Sequence, residues 1–156
     1  MRVMIALFFL LALGGCAGAS VANRSLPSEF TYNFTVPNKT KLELWKNAQD
    51  SFAVAYPDSR LVFRVMDEQG GMLIGKASAR WSNSEHVCYT EYHILFSAMD
   101  NQARLQFKIL EGVPPESNCY EWPWPSKNGY DEIVRSFDSL SKNLGVALSR
   151  NSMPGK

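Results

Sequence analysis

The feature that most constrains the fold is a pair of neighbouring segments, residues 88–99 and 103–110, separated by the polar residues Asp100-Asn101-Gln102. In the second segment every other side chain is apolar: Ala103, Leu105, Phe107 and Ile109 alternate with Arg104, Gln106 and Lys108. Successive side chains of a strand point to opposite faces, so this alternation gives one apolar and one polar face. The sequence therefore predicts a β-hairpin whose apolar face is buried.

Three more strands are predicted upstream of the hairpin, at residues 30–36, 61–65 and 72–81. The first alternates aromatic and polar side chains until Pro37 ends it. In the second, three side chains are expected to face the core: Leu61, Phe63 and Val65. Residues 67–71 contain two glycines that permit positive φ, which indicates a turn before the third strand.

Two amphipathic helices complete the predicted elements. Thr40-x-x-Glu43 is a capping box at a helix start, and four apolar residues lie at helical spacing around it: Leu42, Trp45, Ala48 and Phe52. Five proline and glycine positions exclude regular structure through most of residues 111–129. The second helix follows from Tyr130, with an apolar side formed by Ile133, Val134, Phe137, Leu140 and Leu144, and Gly145 is expected to end or weaken it.

The predicted order is β-α-β-β-β-β-α. Two helices cannot cover both faces of five strands, so both are expected to pack on one face. We therefore predict a two-layer α+β domain with a roughly five-stranded, mainly antiparallel sheet and one sheet face left open. Residues 30–150 are assigned to this single domain and residues 151–156 to a C-terminal tail.

The first sixteen residues have the pattern of an export signal. Arg2 precedes an apolar run of 11 residues, from Val3 to Leu13, whereas about 20 apolar residues are needed to span a bilayer. A short positive start followed by an apolar middle and small residues indicates a secretory signal. Leu13-Gly14-Gly15-Cys16 resembles the bacterial lipobox, in which the cysteine is acylated and begins the mature chain. The alternative is an ordinary signal peptide with a chance cysteine.

This pattern assigns residues 1–15 to a lipoprotein signal peptide and residues 16–29 to a lipidated tether that holds the domain clear of the membrane. The expected location is the bacterial cell envelope, facing the periplasm, with membrane lipid as the partner of the acylated Cys16. Neither Ala17 nor Gly18 is an aspartate. In enteric bacteria, the lack of an aspartate after the acylated cysteine resembles the pattern of lipoproteins that are sorted to the outer membrane.

Charge and cysteine content exclude some classes of function. The chain has 16 basic and 15 acidic residues, so loss of Arg2 leaves a formally neutral mature chain. Nucleic-acid-binding proteins are usually strongly basic, and no nucleic-acid partner is expected. In an oxidising compartment, Cys88 and Cys119 are predicted to form a disulfide. The alternative, a metal site of His86, Cys88 and Cys119, lacks a standard zinc spacing, so no metal or cofactor is predicted.

Catalytic motifs are scarce. The sequence has no glycine-rich phosphate loop, no His-Glu-x-x-His and no Gly-x-Ser-x-Gly. Tyr89, Glu91 and His93 share one strand face, where Glu91 could orient the His93 imidazole as a general base. No nucleophile is identifiable near that pair. We therefore predict a non-catalytic protein, with an envelope hydrolase or other enzyme using His93 and Glu91 as the alternative.

The open sheet face is the first candidate binding surface. Strand alternation is expected to place several basic side chains on this face. Six residues form what we call the candidate binding face: Arg64, Lys76, Arg80, His93, Arg104 and Lys108. A positive patch of this kind fits an anionic partner such as a lipid headgroup, an envelope glycan or an acidic envelope protein. The alternative is that these side chains solubilise a bare sheet and blunt its edges.

The second candidate is the segment Cys119-Tyr120-Glu121-Trp122-Pro123-Trp124-Pro125. Trp122 and Trp124 on a proline-stiffened loop are suited to stacking on a sugar ring or gripping a partner chain. Alternatively, they fold back as a lid on the core, with the cysteine pair tying the loop to a strand. Because exposed apolar patches are rare on monomeric domains, the lid is the more economical interpretation.

Residues 40–109 also resemble a bacterial family, domain-of-unknown-function family 4468, which has a TATA-binding-protein-like (TBP-like) fold. The resemblance lies in Thr40-Lys41-x-x-x-x-Trp45, in Gly70-x-x-x-x-Gly75-Lys76, and in the paired strands 89–99 and 103–109. It implies the same element order as the alternation does, and an exported or lipid-anchored protein without assigned catalytic residues. The Trp-Pro loop and the cysteine pair have no place in the family pattern.

Overall fold

The computed structural model describes residues 25–58, 62–83 and 86–150. In these ranges the chain forms five strands and two helices, in the predicted order: β1 (Glu29–Thr35), α1 (Lys41–Ala55), β2 (Phe63–Asp67), β3 (Met72–Asn83), β4 (His86–Met99), β5 (Gln102–Ile109) and α2 (Lys127–Leu148). The signal peptide, Cys16 and the 151–156 tail lie outside the described residues. None of the helices in the described part of the chain is long and apolar enough to cross a membrane.

The strands form one antiparallel sheet in the order β1-β5-β4-β3-β2. The long strands β3 and β4 pair from Met72 opposite Ser97 to Asn83 opposite His86, so they form the centre of the sheet. β1 and β2 are the two edges, and α1 carries the chain between them across one face. The predicted two-layer α+β architecture is therefore confirmed.

Both helices pack on the same face of this sheet. In β4 the even-numbered side chains from Cys88 to Ala98 are buried, while the odd-numbered side chains are not. Rings from both layers meet in the core, where Phe107 of β5 stacks on Phe137 of α2 with centroids 4.3 Å apart. The opposite face carries no helix in the described part of the chain, and we call it the open face.

Helix α1 begins as predicted. The Thr40 hydroxyl accepts the Glu43 amide, and the Glu43 carboxylate accepts the Thr40 amide, which completes the capping box. The predicted apolar stripe is wrong at Leu42, which is 41% exposed, while Leu44 is fully buried. Leu42 lies to one side of the stripe that Leu44, Trp45, Ala48 and Phe52 form in the 3.6-residue repeat.

Helix α2 begins earlier and ends later than the sequence predicts. Ser126 is its N-cap and its hydroxyl accepts the amide of Gly129. Gly129 lies directly against the Trp81 ring, which a β-carbon at this position would overlap. The glycine is therefore required for close packing and does not break the helix, and α2 also continues through Gly145 to Leu148.

Strand β2 departs from the predicted alternation. The pairing of β2 with β3 shifts between Phe63, opposite Gly75, and Val65, opposite Ile74. This bulge turns Val65 toward the open face, where it is 41% exposed, so its predicted place in the core is wrong. Phe63 is buried as predicted, and Leu61 lies outside the described residues.

Candidate functional site on the open face

The open face is organised in rows of side chains that lie directly opposite one another across the strands. One row is polar and runs across four strands through Glu29, Lys108, His93 and Lys76. The next row lies two residues further along each strand and has an apolar centre: Thr31, Gln106, Leu95, Ile74 and Val65. A charged row therefore borders an apolar row in the middle of the sheet.

A trough of about 660 Å³ lies over these two rows. Eight side chains of the open face line it: Glu29, Arg64, Ile74, Lys76, His93, Leu95, Gln106 and Lys108. Ile74 is 37% exposed and Leu95 is half-buried, so they form an accessible apolar floor. The volume falls within the range of roughly 300–1,000 Å³ that is typical of small-molecule sites.

Two of the trough lysines form ion pairs on the sheet. Lys76 Nζ lies 2.7 Å from Glu91 Oε1, and Lys108 Nζ lies 2.7 Å from Glu29 Oε1. All four side chains are partly exposed, so each pair stabilises the fold little and its lysine remains accessible. No carboxylate in the described ranges pairs with Arg64, which lies at the β2 bulge.

Four of the six residues of the candidate binding face come together in the trough: Arg64, Lys76, His93 and Lys108. Arg80 is exposed opposite Tyr89, further along β3, and does not line it. Arg104 lies in a separate depression toward the other end of the sheet, where its Nε donates to Asn33 Oδ1 at 3.0 Å. The structure thus gathers part of the predicted set and separates the rest.

His93 and Glu91 are not arranged as a general base and the carboxylate that would orient it. Both side chains are on the open face as predicted, but Glu91 is ion-paired with Lys76. Within the residues that the structure describes, no hydrogen bond joins Glu91 to His93, and no serine, threonine or cysteine lines the trough.

The sequence analysis missed the apolar floor and the partner carboxylates. Ile74 precedes Lys76 by two residues and Leu95 follows His93 by two, so the two-residue period places each on the same face as its charged neighbour. That signal was present in the sequence. The pairing of Glu29 with Lys108 was not accessible, because it depends on β1 joining β5 at a sequence separation of 79 residues.

The predicted disulfide between Cys88 and Cys119 is confirmed, with Cα atoms 5.4 Å apart. Both sulfurs are consumed, so the alternative metal site with His86 loses its thiolates. Elsewhere in the described residues, no three His, Cys, Asp or Glu side chains cluster as metal ligands would.

The segment from residue 110 to 126 wraps around the free edge of β4, because β5 pairs with β4 only from Tyr92 onward. The buried Ser117 hydroxyl accepts the Tyr89 amide at 3.1 Å. On the open face, Ser78 donates to Glu116 at 2.7 Å, and this hydrogen bond lowers the pKa of the Glu116 carboxyl. On the helix face the disulfide bonds the segment to β4. The segment is therefore attached to both faces at this end of the sheet.

The two tryptophans of this segment fold toward the core. Trp122 packs edge-on against Trp81 with centroids 6.4 Å apart, and both Trp122 and Trp124 are half-buried against the core. Trp124 Nε1 is buried and has no hydrogen-bond partner among the described residues. Tyr120 is the exposed aromatic residue of the segment, at 73%. The geometry corresponds to the lid interpretation.

Comparison with known proteins gives a match at the level of fold. No family model and no curated protein sequence matches the chain. Among solved structures, a TBP-like protein from Parabacteroides distasonis has a TM-score of 0.63 at 12% identity, covering 80% of this chain and 94% of that one. A DUF4468 family protein from Bacteroides ovatus has a TM-score of 0.54 at 13% identity, covering 89% and 95%.

These identities are too low to transfer a function or a site, so the likeness concerns the fold alone. The resemblance to family 4468 and to the TBP-like fold predicted from the sequence is confirmed at that level. The chain is thus similar in fold to DUF4468 and TBP-like proteins, with a charged and apolar trough on its open sheet face.

Proposed function

We propose that this chain is a lipid-anchored protein of the bacterial cell envelope that binds an anionic partner on its open face, without catalytic turnover. The observation that carries the binding proposal is the trough, where three cationic side chains surround an accessible apolar floor. A concave site with a few convergent polar groups is the usual form of a ligand site.

The envelope location rests on the sequence Leu13-Gly14-Gly15-Cys16 and on the short apolar run before it. An acylated Cys16 would hold the domain at the periplasmic side of a membrane, with the outer membrane favoured by the residues after Cys16. The Cys88–Cys119 disulfide supports an oxidising compartment.

Intact mass of the membrane-extracted protein tests the anchor. We expect a chain that begins at Cys16 and carries acyl chains, and a Cys16→Ser variant that lacks them and leaves the membrane fraction. An unmodified chain that begins elsewhere, or a Cys16→Ser variant that remains in the membrane fraction, would contradict lipid anchoring.

Binding is tested with the full chain held in nanodiscs of zwitterionic lipid. The probes are octanoate, acetate, polyglutamate and vesicles that contain phosphatidylglycerol. A variant with Arg64, Lys76, Arg104 and Lys108 all changed to Gln is expected to bind whichever anion the wild type binds at least about tenfold more weakly. Its melting temperature should stay near the wild-type value, because all four side chains are exposed.

The matched control removes the same charge from exposed positions on the two helices: Lys46, Lys127, Arg135 and Lys142. It is expected to bind as the wild type does. Equal binding by the wild type, the open-face variant and the helix variant would refute the open face as the binding surface.

A further inference from the structure

We infer that the trough takes an amphipathic monoanion, a molecule with one acidic head and a short apolar chain. This inference rests on the proposed binding function and names the chemical class of its ligand. The occupant is a single dissolved molecule, and neither a membrane surface nor an acidic polymer fits the same observations.

The net charge of the trough favours a ligand whose head group carries a single negative charge. Arg64, Lys76 and Lys108 bring three positive charges to the trough. Glu91 and Glu29 each lie 2.7 Å from one of the lysines, which leaves one formal positive charge when His93 is neutral. A polyanion laid across the sheet would bring several negative charges near these two carboxylates, whereas a single head brings one. Anionic bilayers are typically recognised by clusters of about 4–8 Lys or Arg residues, whereas three such residues line this trough: Arg64, Lys76 and Lys108.

The cations are placed so that one head group can contact several of them. His93 has Lys76 opposite it on one neighbouring strand and Lys108 on the other, so the three side chains start about 4.8 Å apart in succession. Each ammonium has three donor hydrogens, so a lysine that binds a glutamate can still donate to a ligand oxygen. Arg64 adds a planar guanidinium that suits a carboxylate.

The apolar row favours a ligand in which an apolar chain is attached to that head group. Ile74 and Leu95 lie opposite each other on β3 and β4, about 7 Å along the strands from the Lys76–His93 pair. The aliphatic stems of Lys76 and Lys108 extend the apolar surface toward this floor. Val65, brought to the same row by the β2 bulge, is 41% exposed at its end. A chain leaving a head at the charged row would therefore cover side chains that are otherwise open to water.

The test measures methyl NMR shifts of Ile74 and Leu95 while the full chain in zwitterionic nanodiscs is titrated with matched probes. Octanoate has both head and chain, acetate has the head alone, octanol has the chain alone, and polyglutamate is the polyanion. We expect octanoate to bind at least about tenfold more tightly than acetate or octanol, because burial of even two methylenes contributes about 1.6 kcal/mol.

Variants separate the two rows. Leu95→Gln should weaken octanoate binding about fivefold or more without changing acetate binding, and Lys76→Gln should weaken both. Val146→Gln, which replaces an exposed apolar residue of α2, is the matched control and should change neither.

Three outcomes would overturn this inference while leaving anion binding at the open face intact. They are acetate binding as tightly as octanoate, polyglutamate or the anionic vesicles binding more tightly than octanoate, and Leu95→Gln leaving octanoate binding unchanged. Octanol binding as tightly as octanoate would overturn both the inference and the anionic partner. If no probe shifts the two methyl signals, the open face is not the binding site and both proposals fail.

Discussion

At the scale of single residues, the buried hydrogen bonds are the most sensitive points of the fold. Trp81 Nε1 donates to Thr90 Oγ1 at 2.9 Å, and both side chains are about 1% exposed. Thr90→Val keeps the shape but leaves the indole N–H without its acceptor, which costs about 1–3 kcal/mol. Urea unfolding should report that loss. Thr31→Val is the control, because Thr31 accepts from Gln106 at an exposed site and water replaces that bond. Equal losses in the two variants would contradict this account.

A second residue-scale prediction concerns alkaline pH. The hydroxyls of Tyr56 and Tyr92 are 2.8 Å apart in the core. Burial raises the pKa of both phenols, that of Tyr92 to about 12. Below pH 10 both are protonated in the folded and unfolded states, so their contribution to stability is complete. Between about pH 10 and 12 the unfolded phenols lose protons first, and Tyr92 alone costs up to about 3 kcal/mol of unfolding free energy.

Urea unfolding of the double variant Tyr56→Phe, Tyr92→Phe should therefore show a smaller loss of stability from pH 10 to 12 than the wild type. Some dependence remains, because the pKa values of Tyr32 and Tyr130 are also raised by burial. Tyr120→Phe, at a residue that is 73% exposed, is the control and should keep the wild-type dependence. A double variant as steep as the wild type would refute the assignment to this pair.

At the scale of elements, the disulfide decides whether the 110–126 segment stays on the end of β4. It joins residues 31 apart, for which loop-closure entropy corresponds to about 4 kcal/mol of stability. Cys88→Ala together with Cys119→Ala should lower the unfolding free energy by about 2–5 kcal/mol. Protease cleavage next to exposed Tyr120 should become faster.

Reducing agent provides the control for this prediction. It should destabilise the wild type and leave the double alanine variant unchanged. If the wild type is equally stable with and without reductant, the disulfide contributes nothing to the fold. If cleavage occurs at the same rate in both proteins, the segment is held by Ser117 and the tryptophans alone.

The elements also show what the sequence could predict and where it failed. Regular alternation along β1, β4 and β5 was sufficient for their faces, because each strand has a continuous pattern and one buried side. Val65 was misplaced because a bulge depends on how β2 pairs with β3, and no pattern within five residues reveals it. The start of α2 was predicted three residues late, at Tyr130, because the apolar repeat does not extend to residues 127–129, where Gly129 is needed for the close approach to Trp81.

The candidate site, too, could be predicted from the sequence only in part. The positions of Lys76, His93 and Lys108 on one face followed from alternation within their own strands. Their assembly into one row, and the separation of Arg104 from it, depend on cross-strand register between segments distant in sequence. The sequence thus predicted the face correctly, and the structure was required to find the trough on it.

At the scale of the whole molecule, the sheet order implies a gradient of stability from the centre to the β2 edge. β4 lies between β3 and β5 and buries Ile94 and Phe96 completely under the helices. β2 is a five-residue edge strand interrupted by a bulge, with three exposed residues in succession from Arg64 to Met66. Elements with few buried contacts open locally at a smaller free energy than the core does.

Native-state hydrogen exchange should therefore find the β4 amides of Ile94 and Phe96 exchanging only through global unfolding, and the β2 amides exchanging through local opening. β1 is the matched edge, since it has seven residues without a bulge, and Phe30 packs against Phe137 with centroids 5.5 Å apart. Its inward-bonded amides should exchange more slowly than those of β2. Because Arg64 lines the trough, a ligand held there should slow exchange in β2. Equal protection of the two edges, with and without octanoate, would show that β2 is as firmly held as the rest of the sheet.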